Sequence, residues 1–365
     1  MIYRAIGIMS GSSTDGLDIV HAQFEENQGS WNFEIQHAEC LTYNSFWKDT
    51  LRNAETLSSK EFFQVNFEYG KFIAGILQDF IEKNELHFKT QLIGFHGHTV
   101  FHNPSKGISV QLGDAAIIAA DTGINTISNL RNLDIALGGQ GAPIVPMGEK
   151  LLFPAYDFFL NIGGIANLSY HNKEDHSVIA FDICPANRIL DILASRTGKT
   201  FDEKGKTARV GNVNEALLTA LNALEYYHRE PPKSLSNQFG TETILNLINN
   251  YNISSEDKLR TYTEHVCEQI VASLKTCTHE LAHKNIFVSG GGAYNLFLIE
   301  TLRVKLLALE IELVIPDAMI IEYKEALIMA FLAILRWREE STTLPSVTGA
   351  SRAGIGGACW IGQQA

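Results

Sequence analysis

FLNIGGIANLSYHNKEDHSVIAFDICPANRILD, residues 159–191, is the stretch from which the fold of this chain can be read. An apolar run through Phe158-Phe159-Leu160 breaks at Gly163-Gly164 and resumes as Ile165-Ala166-Asn167-Leu168-Ser169-Tyr170. That pattern predicts two strands joined by a tight glycine turn, because glycine reaches positive φ without a Cβ penalty. A second run, Val178-Ile179-Ala180-Phe181, delivers Asp182 at its end. Pro185 is placed to start a helix carrying Ile189, Leu190, Ile192 and Leu193. A carboxylate between a strand end and a helix N-terminus is where α/β proteins put ligands. The same carboxylate could simply cap the helix.

Upstream, Tyr3 to Met9 reads as a strand, Ser10 to Gly16 as a polar turn, and Leu17 to Phe24 and Trp31 to Cys40 as further strands. The turn offers backbone N–H groups, three consecutive hydroxyls (Ser12, Ser13, Thr14) and the nearby carboxylates Asp15 and Asp18, which suit phosphate oxygens and hydrated Mg²⁺. An ordinary hairpin uses the same residue types, and the Walker A lysine is missing. Ser59 can cap a long helix to about Asn84, with Phe62, Val65, Tyr69, Ile73, Ile76 and Phe80 on one apolar face. The strand Gln91–Phe95 leads into His96, His98 and His102, which would share a face if the strand continued. A metal, a polar substrate rim and plain surface histidines all remain open there. Leu137-Gly138-Gly139-Gln140-Gly141-Ala142-Pro143 is glycine-dense and reads as a crossover or hinge.

Downstream, residues 198–211 read as a solvent-facing loop with Asp202 and Gly205 as turn formers. Pro231-Pro232-Lys233-Ser234 breaks a helix begun at Asn214. Ser254 with Asp257 resembles a cap for a long helix. Asn285–Ser289 is a buried strand ending in Gly290-Gly291-Gly292, where a flat ligand or phosphate can touch backbone. Glu322–Trp337 is an almost wholly apolar helix. Glycine turns at 10–16, 163–164 and 290–292 each follow an apolar strand, which suggests a doubled α/β unit.

The whole chain of 365 residues is long for one core, and its 45% apolar and 19% charged content fits a globular protein. A net charge of −12 argues against nucleic acid as partner. Five scattered cysteines without a CxxC pair are neither a disulfide framework nor a zinc site. With no signal-peptide pattern and no long apolar span, the expected location is cytoplasmic, away from membranes, and the expected partner is a small molecule.

The ensemble IGIMSGSSTDGLD, GFHGHTVFHNP, GGQGAPIVP, NIGGIANLS, FVSGGGAYN, YKEALIMAFLA and LPSVTGA, spread over residues 6–350, resembles the anhydro-N-acetylmuramic acid kinases. This resemblance implies an α/β, two-lobed actin-like ATPase (ribonuclease H-like) fold of the acetate and sugar kinase, Hsp70 and actin superfamily. Such a fold has a duplicated mixed sheet, flanking helices and a central cleft that closes on its ligands. One lobe is expected at 1–135 plus about 340–365, the other at 136–339. It implies ATP and Mg²⁺ as cofactors, hydrolytic opening of a 1,6-anhydro amino sugar with phosphate delivered to O6, and a role in cell-wall sugar recycling. A homodimer is compatible with it.

The resemblance further implies Asp182 as catalytic base. It places ATP at Gly11, Ser12, Ser13, Thr14, Asp15, Gly16, Leu17, Asp18, Gly163, Gly164, Asn167, Gly290, Gly291 and Gly292. It places the sugar at His96, His98, Thr99, Asn187 and Glu325, and leaves the metal ligands unknown. After Asp182 the family usually reads Thr-Gly-Pro-Gly-Asn, where this chain has Ile183-Cys184-Pro185-Ala186-Asn187. Those changes are expected to add Cβ atoms near the phosphates. His98 replaces a usual glutamine, and Met147-Gly148-Glu149 stands where a histidine is usual, both on the expected sugar side. A kinase of another sugar, or a nucleotide-binding regulatory protein with decayed catalysis, are the alternatives.

Overall fold

The computed structural model describes residues 1–11, 14–231, 233–236 and 238–363. Its chain divides into two units, Met1–Pro154 with Tyr323–Ala365, and Ala155–Glu322. The second boundary falls inside the apolar helix Ala318–Trp337. The glycine-dense segment read as a crossover lies within the first unit. There Asp134 accepts the Gly141 N–H at 2.8 Å, and Gln140 donates to the Thr348 carbonyl at 2.8 Å.

The first unit is built on β1 (Ile2–Ser10), β2 (Gly16–Asn27), β3 (Ser30–Thr42), β4 (Leu92–Asn103), β5 (Ile108–Leu112) and β6 (Asn125–Ser128), closed by β12 (Ala358–Trp360). Its order is β12-β6-β4-β1-β2-β3, with β5 on the outer half of β4. The β1–β2–β3 meander is antiparallel, and β4 then β6 continue from β1 in parallel. The second unit holds β7 (Phe158–Ile162), β8 (Ile165–His171), β9 (Val178–Pro185), β10 (Asn285–Ser289) and β11 (Glu312–Val314), in the order β11-β10-β7-β8-β9. Here too a three-stranded antiparallel meander continues from its first strand into two parallel strands. The doubling inferred from the glycine turns is thus a doubling of topology.

Parallel inner strands are covered on both faces, which is why they read as unbroken apolar runs. In the first unit Ile6, Ile8, Leu17 and Ile19 pack with Tyr69, Ile73 and Leu77 of the helix Ser59–Lys83. That helix is capped one residue earlier than Ser59, by Ser58 in a capping box with Glu61. The other sheet face receives the apolar helix so closely that a Cβ on Gly7 would overlap the Ala326 carbonyl, and one on Gly94 the Met329 carbonyl. Only glycine allows that approach. In the second unit Phe158, Leu160, Ile183, Leu190 and Tyr262 form one core. Its long helix Ser255–Cys277 is capped by Ser254. The 198–211 segment is less open than expected: Asp202 is buried and accepts N–H bonds from Thr207 and Ala208, both at 2.8 Å, to start a short helix. Among the described residues no helix is long and apolar enough to cross a membrane.

Candidate active site

In the first unit the β1–β2 turn runs from Gly11 to Asp15; Ser12 and Ser13 lie outside the described residues. Thr14 turns the chain at φ 56°, donating its N–H to the Gly11 carbonyl at 3.2 Å, and its hydroxyl accepts from Arg52 Nε at 2.9 Å. Asp15 is exposed and Asp18 half-buried, whereas the Leu17 side chain belongs wholly to the core. Gly16 is demanded by β3, since a Cβ there would meet the Leu41 carbonyl and Cys40 Sγ.

The three histidines of β4 have three separate partners. His96 Nδ1 donates to the Gly97 carbonyl at 2.8 Å and Nε2 accepts from Arg131 Nε at 2.8 Å. Burial, reinforced by Arg131, pushes its pKa down to about 3, so it is neutral at neutral pH. His98 Nδ1 pairs with Ser10 Oγ at 2.9 Å. Tyr43 donates to the same Ser10 Oγ at 2.8 Å. Burial brings His98 to about 4. His102 pairs with Ser109 at 3.1 Å. No group of three or more His, Cys, Asp or Glu side chains among the described residues could hold a metal.

Thr99 accepts from Gln111 at 3.4 Å. Glu325 is set in a charged surrounding: burial pushes its carboxyl up, as do Asp18 and Glu149, while Lys324 and Arg131 hold it down. Lys324 and Glu149 form an ion pair at 2.6 Å with both side chains about 5% exposed. Glu149, in the Met147-Gly148-Glu149 segment where the family usually has a histidine, therefore neutralises a buried lysine.

In the second unit Asp182 lies within β9, which continues to Pro185, instead of ending the strand. The helix starts later, at Asn187, and its N-cap is Ala186 with no side-chain bond, so Asp182 caps nothing. Its Oδ2 accepts the Leu235 N–H at 2.8 Å, and its backbone pairs with the Lys233 carbonyl and the Tyr226 hydroxyl. Burial raises the carboxyl pKa, and the Leu235 hydrogen bond opposes the rise. Across the sheet Asp182 stands opposite Asn167, Asn167 opposite Asn161, and Asn161 beside Ser289. Paired residues share a face, so four polar side chains form one row across four strands.

Asn187 ties three motifs together. Its N–H donates to the Gly163 carbonyl at 3.0 Å, and its side chain donates to the Ile162 carbonyl at 2.9 Å. That side chain lies 3.6 Å from where a Gly291 Cβ would be. Gly290 and Gly292 are required by packing against Asn161 and Ile162, but Gly163, Gly164 and Gly291 are not: a Cβ on any of them meets nothing closer than 3.4 Å. The N–H groups of Gly163 and Gly164 donate to no acceptor among the described residues. Bare backbone donors without side chains are what an approaching phosphate needs.

Ile183, Cys184 and Ala186 are buried at 1%, 0% and 0% exposure in the core beside Leu190 and Tyr262. A bulge between β8 and β9 opposite Ala166/Asn167 absorbs the extra residue, Ile183, and aims it inward. Sequence reasoning missed Asn161 and Ser289, although both sit in quoted motifs, because only strand pairing puts them in the Asp182 row. It missed the Leu235 contact altogether, since a backbone N–H leaves no mark on residue type. Arg131, which holds His96, falls outside every motif.

A three-stranded antiparallel meander extended by two parallel strands, present twice in one chain, is the duplicated ribonuclease H-like arrangement that the resemblance implied. The profile described as anhydro-N-acetylmuramic acid kinase matches residues 3–362, and the chain belongs to that family. Among its relatives, the anhydro-N-acetylmuramic acid kinase of Vibrio parahaemolyticus is 33% identical over 363 residues, covering 95% of each chain. That of Synechococcus elongatus is 31% identical, covering 95% of this chain and 97% of its own. That of Bacillus cereus is 31% identical, covering 95% and 96%. A solved structure, the activator of the 2-hydroxyisocaproyl-CoA dehydratase from Clostridium difficile with bound ADPNP, aligns with a TM-score of 0.44 at 15% identity, covering 92% of this chain and 96% of that one. That likeness is too distant to add to the family match.

Proposed function

We propose that this chain is an ATP-dependent kinase that hydrolytically opens 1,6-anhydro-N-acetylmuramic acid and phosphorylates O6, in cytoplasmic recycling of cell-wall amino sugars. The observation that carries this reading is the family match over residues 3–362. In a 1,6-anhydro sugar O6 is bonded to C1, so no free hydroxyl is available to attack ATP. Water adds to C1 as the C1–O6 bond breaks, O6 takes the γ-phosphoryl group, ADP leaves, and the water's proton goes to a base.

Asp182 suits the role of base: Leu235 holds Oδ2, which leaves Oδ1 for the water. We assign the ATP phosphates to the Gly11–Asp18 turn and to Gly163–Gly164, with Asn167 beside them and adenosine near Gly290–Gly292. The sugar is assigned to His96, His98, Thr99, Asn187 and Glu325. His98, neutral and with Nδ1 on Ser10, keeps Nε2 for a sugar hydroxyl, as the glutamine it replaces could also hydrogen-bond one. When bound, ATP supplies the phosphoryl group and Mg²⁺ neutralises its charge. With no acidic cluster among the described residues, the ion would be held mainly by phosphate oxygens and water.

Coupled ADP release over a panel of 1,6-anhydro-N-acetylmuramic acid, 1,6-anhydro-N-acetylglucosamine and free hexoses tests the reading. Turnover should be greatest with the lactyl-bearing anhydro sugar. Faster turnover of another sugar, or none with any despite ATP binding, overturns it.

A further inference from the structure

A cavity of about 670 Å³ opens on the first sheet, lined among others by Arg4, His21, Glu34, Gln36, His37 and Lys89. None of these residues belongs to the site described above. His21 is on the opposite face of β2 from Asp18, because the two are three residues apart on a regular stretch of strand. Arg4 enters that face from the start of β1, six residues before Ser10, or about 20 Å along the strand.

The cavity is built by a local irregularity. Across β2–β3, His21 pairs with His37 but Ala22 pairs with Ile35, so Gln36 is an extra residue in β3. Without that bulge, Glu34 and His37 would point to opposite faces; with it, both join His21 on one face. The rings of His21 and His37 lie 6.0 Å apart. His21 is only 1% exposed, lines the cavity, and neither of its ring nitrogens has a hydrogen-bond partner. Buried polar groups ordinarily find partners, and nothing in β1, β2 or β3 supplies one here.

The surroundings select the sign of what would fit. Arg4 from β1 and Lys89 from the loop after the helix Ser59–Lys83 are positive, His37 from β3 can become so, and Glu34 is the one acid. Two fixed cations disfavour a metal ion, and no three-ligand metal group exists among the described residues. The volume lies in the range of small-molecule pockets and exceeds a bare phosphate.

We propose that this cavity binds a small oxyanion-bearing metabolite, a phosphate or carboxylate compound of about sugar size, with His21 as its buried hydrogen-bond donor and Arg4 and Lys89 as its charge partners. Glu34 would accept from a hydroxyl of the same molecule. An anion there favours the imidazolium form of His21, which burial, with His37, Arg4 and Lys89, otherwise holds at about 4. Binding therefore tightens as pH falls.

The test is an NMR titration of the histidine C2–H resonances of the full chain with inorganic phosphate, glucose 6-phosphate and citrate, the His21 signal being identified by its loss in His21→Phe. The expected result is a saturable His21 shift that grows stronger at lower pH, from glucose 6-phosphate if the cavity prefers phosphates or from citrate if it prefers carboxylates. Lys89→Met and Arg4→Met, both at exposed positions, should each weaken the response about tenfold, the worth of one charge-assisted hydrogen bond. Kinase turnover without the probes should be unchanged in both. No saturable His21 shift with any probe, or one indifferent to both substitutions, overturns the proposal.

Discussion

Replacing Asp182 by asparagine is the most discriminating perturbation of the proposed chemistry. The structure fixes what the change should and should not do. Asp182 Oδ2 receives the Leu235 N–H at 2.8 Å, and an amide oxygen can receive it equally, so the loop at 233–235 should stay in place. The backbone bonds to Lys233 and Tyr226 do not involve the carboxylate and are unaffected. The substitution also removes a carboxylate whose burial opposes its charge, so the folded state should not suffer. What disappears is proton acceptance from water, worth roughly 10²–10⁴ in turnover. ATP affinity should hold within a few-fold, because the phosphates are assigned to turns whose donors are backbone N–H groups. The assay is single-turnover ADP release with ¹⁸O-labelled water, alongside nucleotide titration of the variant. In the wild-type chain the label should appear on C1 of the sugar and not in the new phosphate. Near-normal turnover by the asparagine variant, or label in the phosphate, would refute the assignment. Since the helix cap is Ala186, survival of activity could not be explained by asparagine serving as a substitute cap.

Alanine at Gly163, Gly164 or Gly291 meets no close neighbour and should leave the thermal midpoint nearly unchanged while raising the KM for ATP severalfold; an unchanged KM in all three would remove the turn from the nucleotide site. Lys324→Met removes the buried ion-pair partner of Glu149 and should cost about 3–5 kcal/mol in urea unfolding, with Glu149→Gln added to Lys324→Met recovering part of it. The acidic limb of the turnover–pH profile should titrate above the ordinary carboxylate value, because burial raises the Asp182 pKa; a limb at the ordinary value would count against Asp182 as the base. His96 and His265 are both pushed down to about 3 by burial, so between pH 6.5 and 3 the unfolded chain binds more protons than the folded one. Their contribution to stability should therefore fall as pH falls through that window, by about 1.4 kcal/mol per pH unit for each histidine, read as the difference between the parent and the His265→Gln variant.

How much of this was legible beforehand depended on the kind of interaction. The meander around Gly163–Gly164 and the apolar helix ending at Trp337 were readable because each is set by its local apolar period, although neither Gly163 nor Gly164 takes the positive φ expected of the turn. The limits of β9 were not, since Ile183-Cys184-Pro185 is as compatible with a turn and helix start as with a strand, and pairing with β8 decides the matter. The fate of the three β4 histidines was equally hidden. Whether His96, His98 and His102 converge depends on Gly97, at φ 80°, and on a register shift between Thr99 and Phe101 against β5. The result is two buried, neutral rings and one exposed ring, each with a different partner. Side-chain type alone cannot carry that information.

The same distinction bears on the residues that depart from the family pattern. Read along the chain, Ile183, Cys184 and Ala186 are neighbours of Asp182 and suggest a damaged active site. Read in the fold, their side chains leave on the core side, packed with Leu190, Leu193 and Tyr262, whose hydroxyl bonds the Pro185 carbonyl at 2.7 Å. Larger side chains there fill the interior beneath β9 while Asp182 and Asn187 keep polar contacts to Leu235 and the Gly163 turn. These three side chains thus change the packing beneath β9, with the Asp182–Leu235 and Asn187–Gly163 hydrogen bonds in place. If that is right, restoring Ile183-Cys184 to Thr-Gly should open a core cavity and lower the unfolding midpoint by the equivalent of about 2–5 kcal/mol, with no gain in turnover per folded molecule. A variant that is as stable as the parent and more active would mean that these positions do reach the ligands.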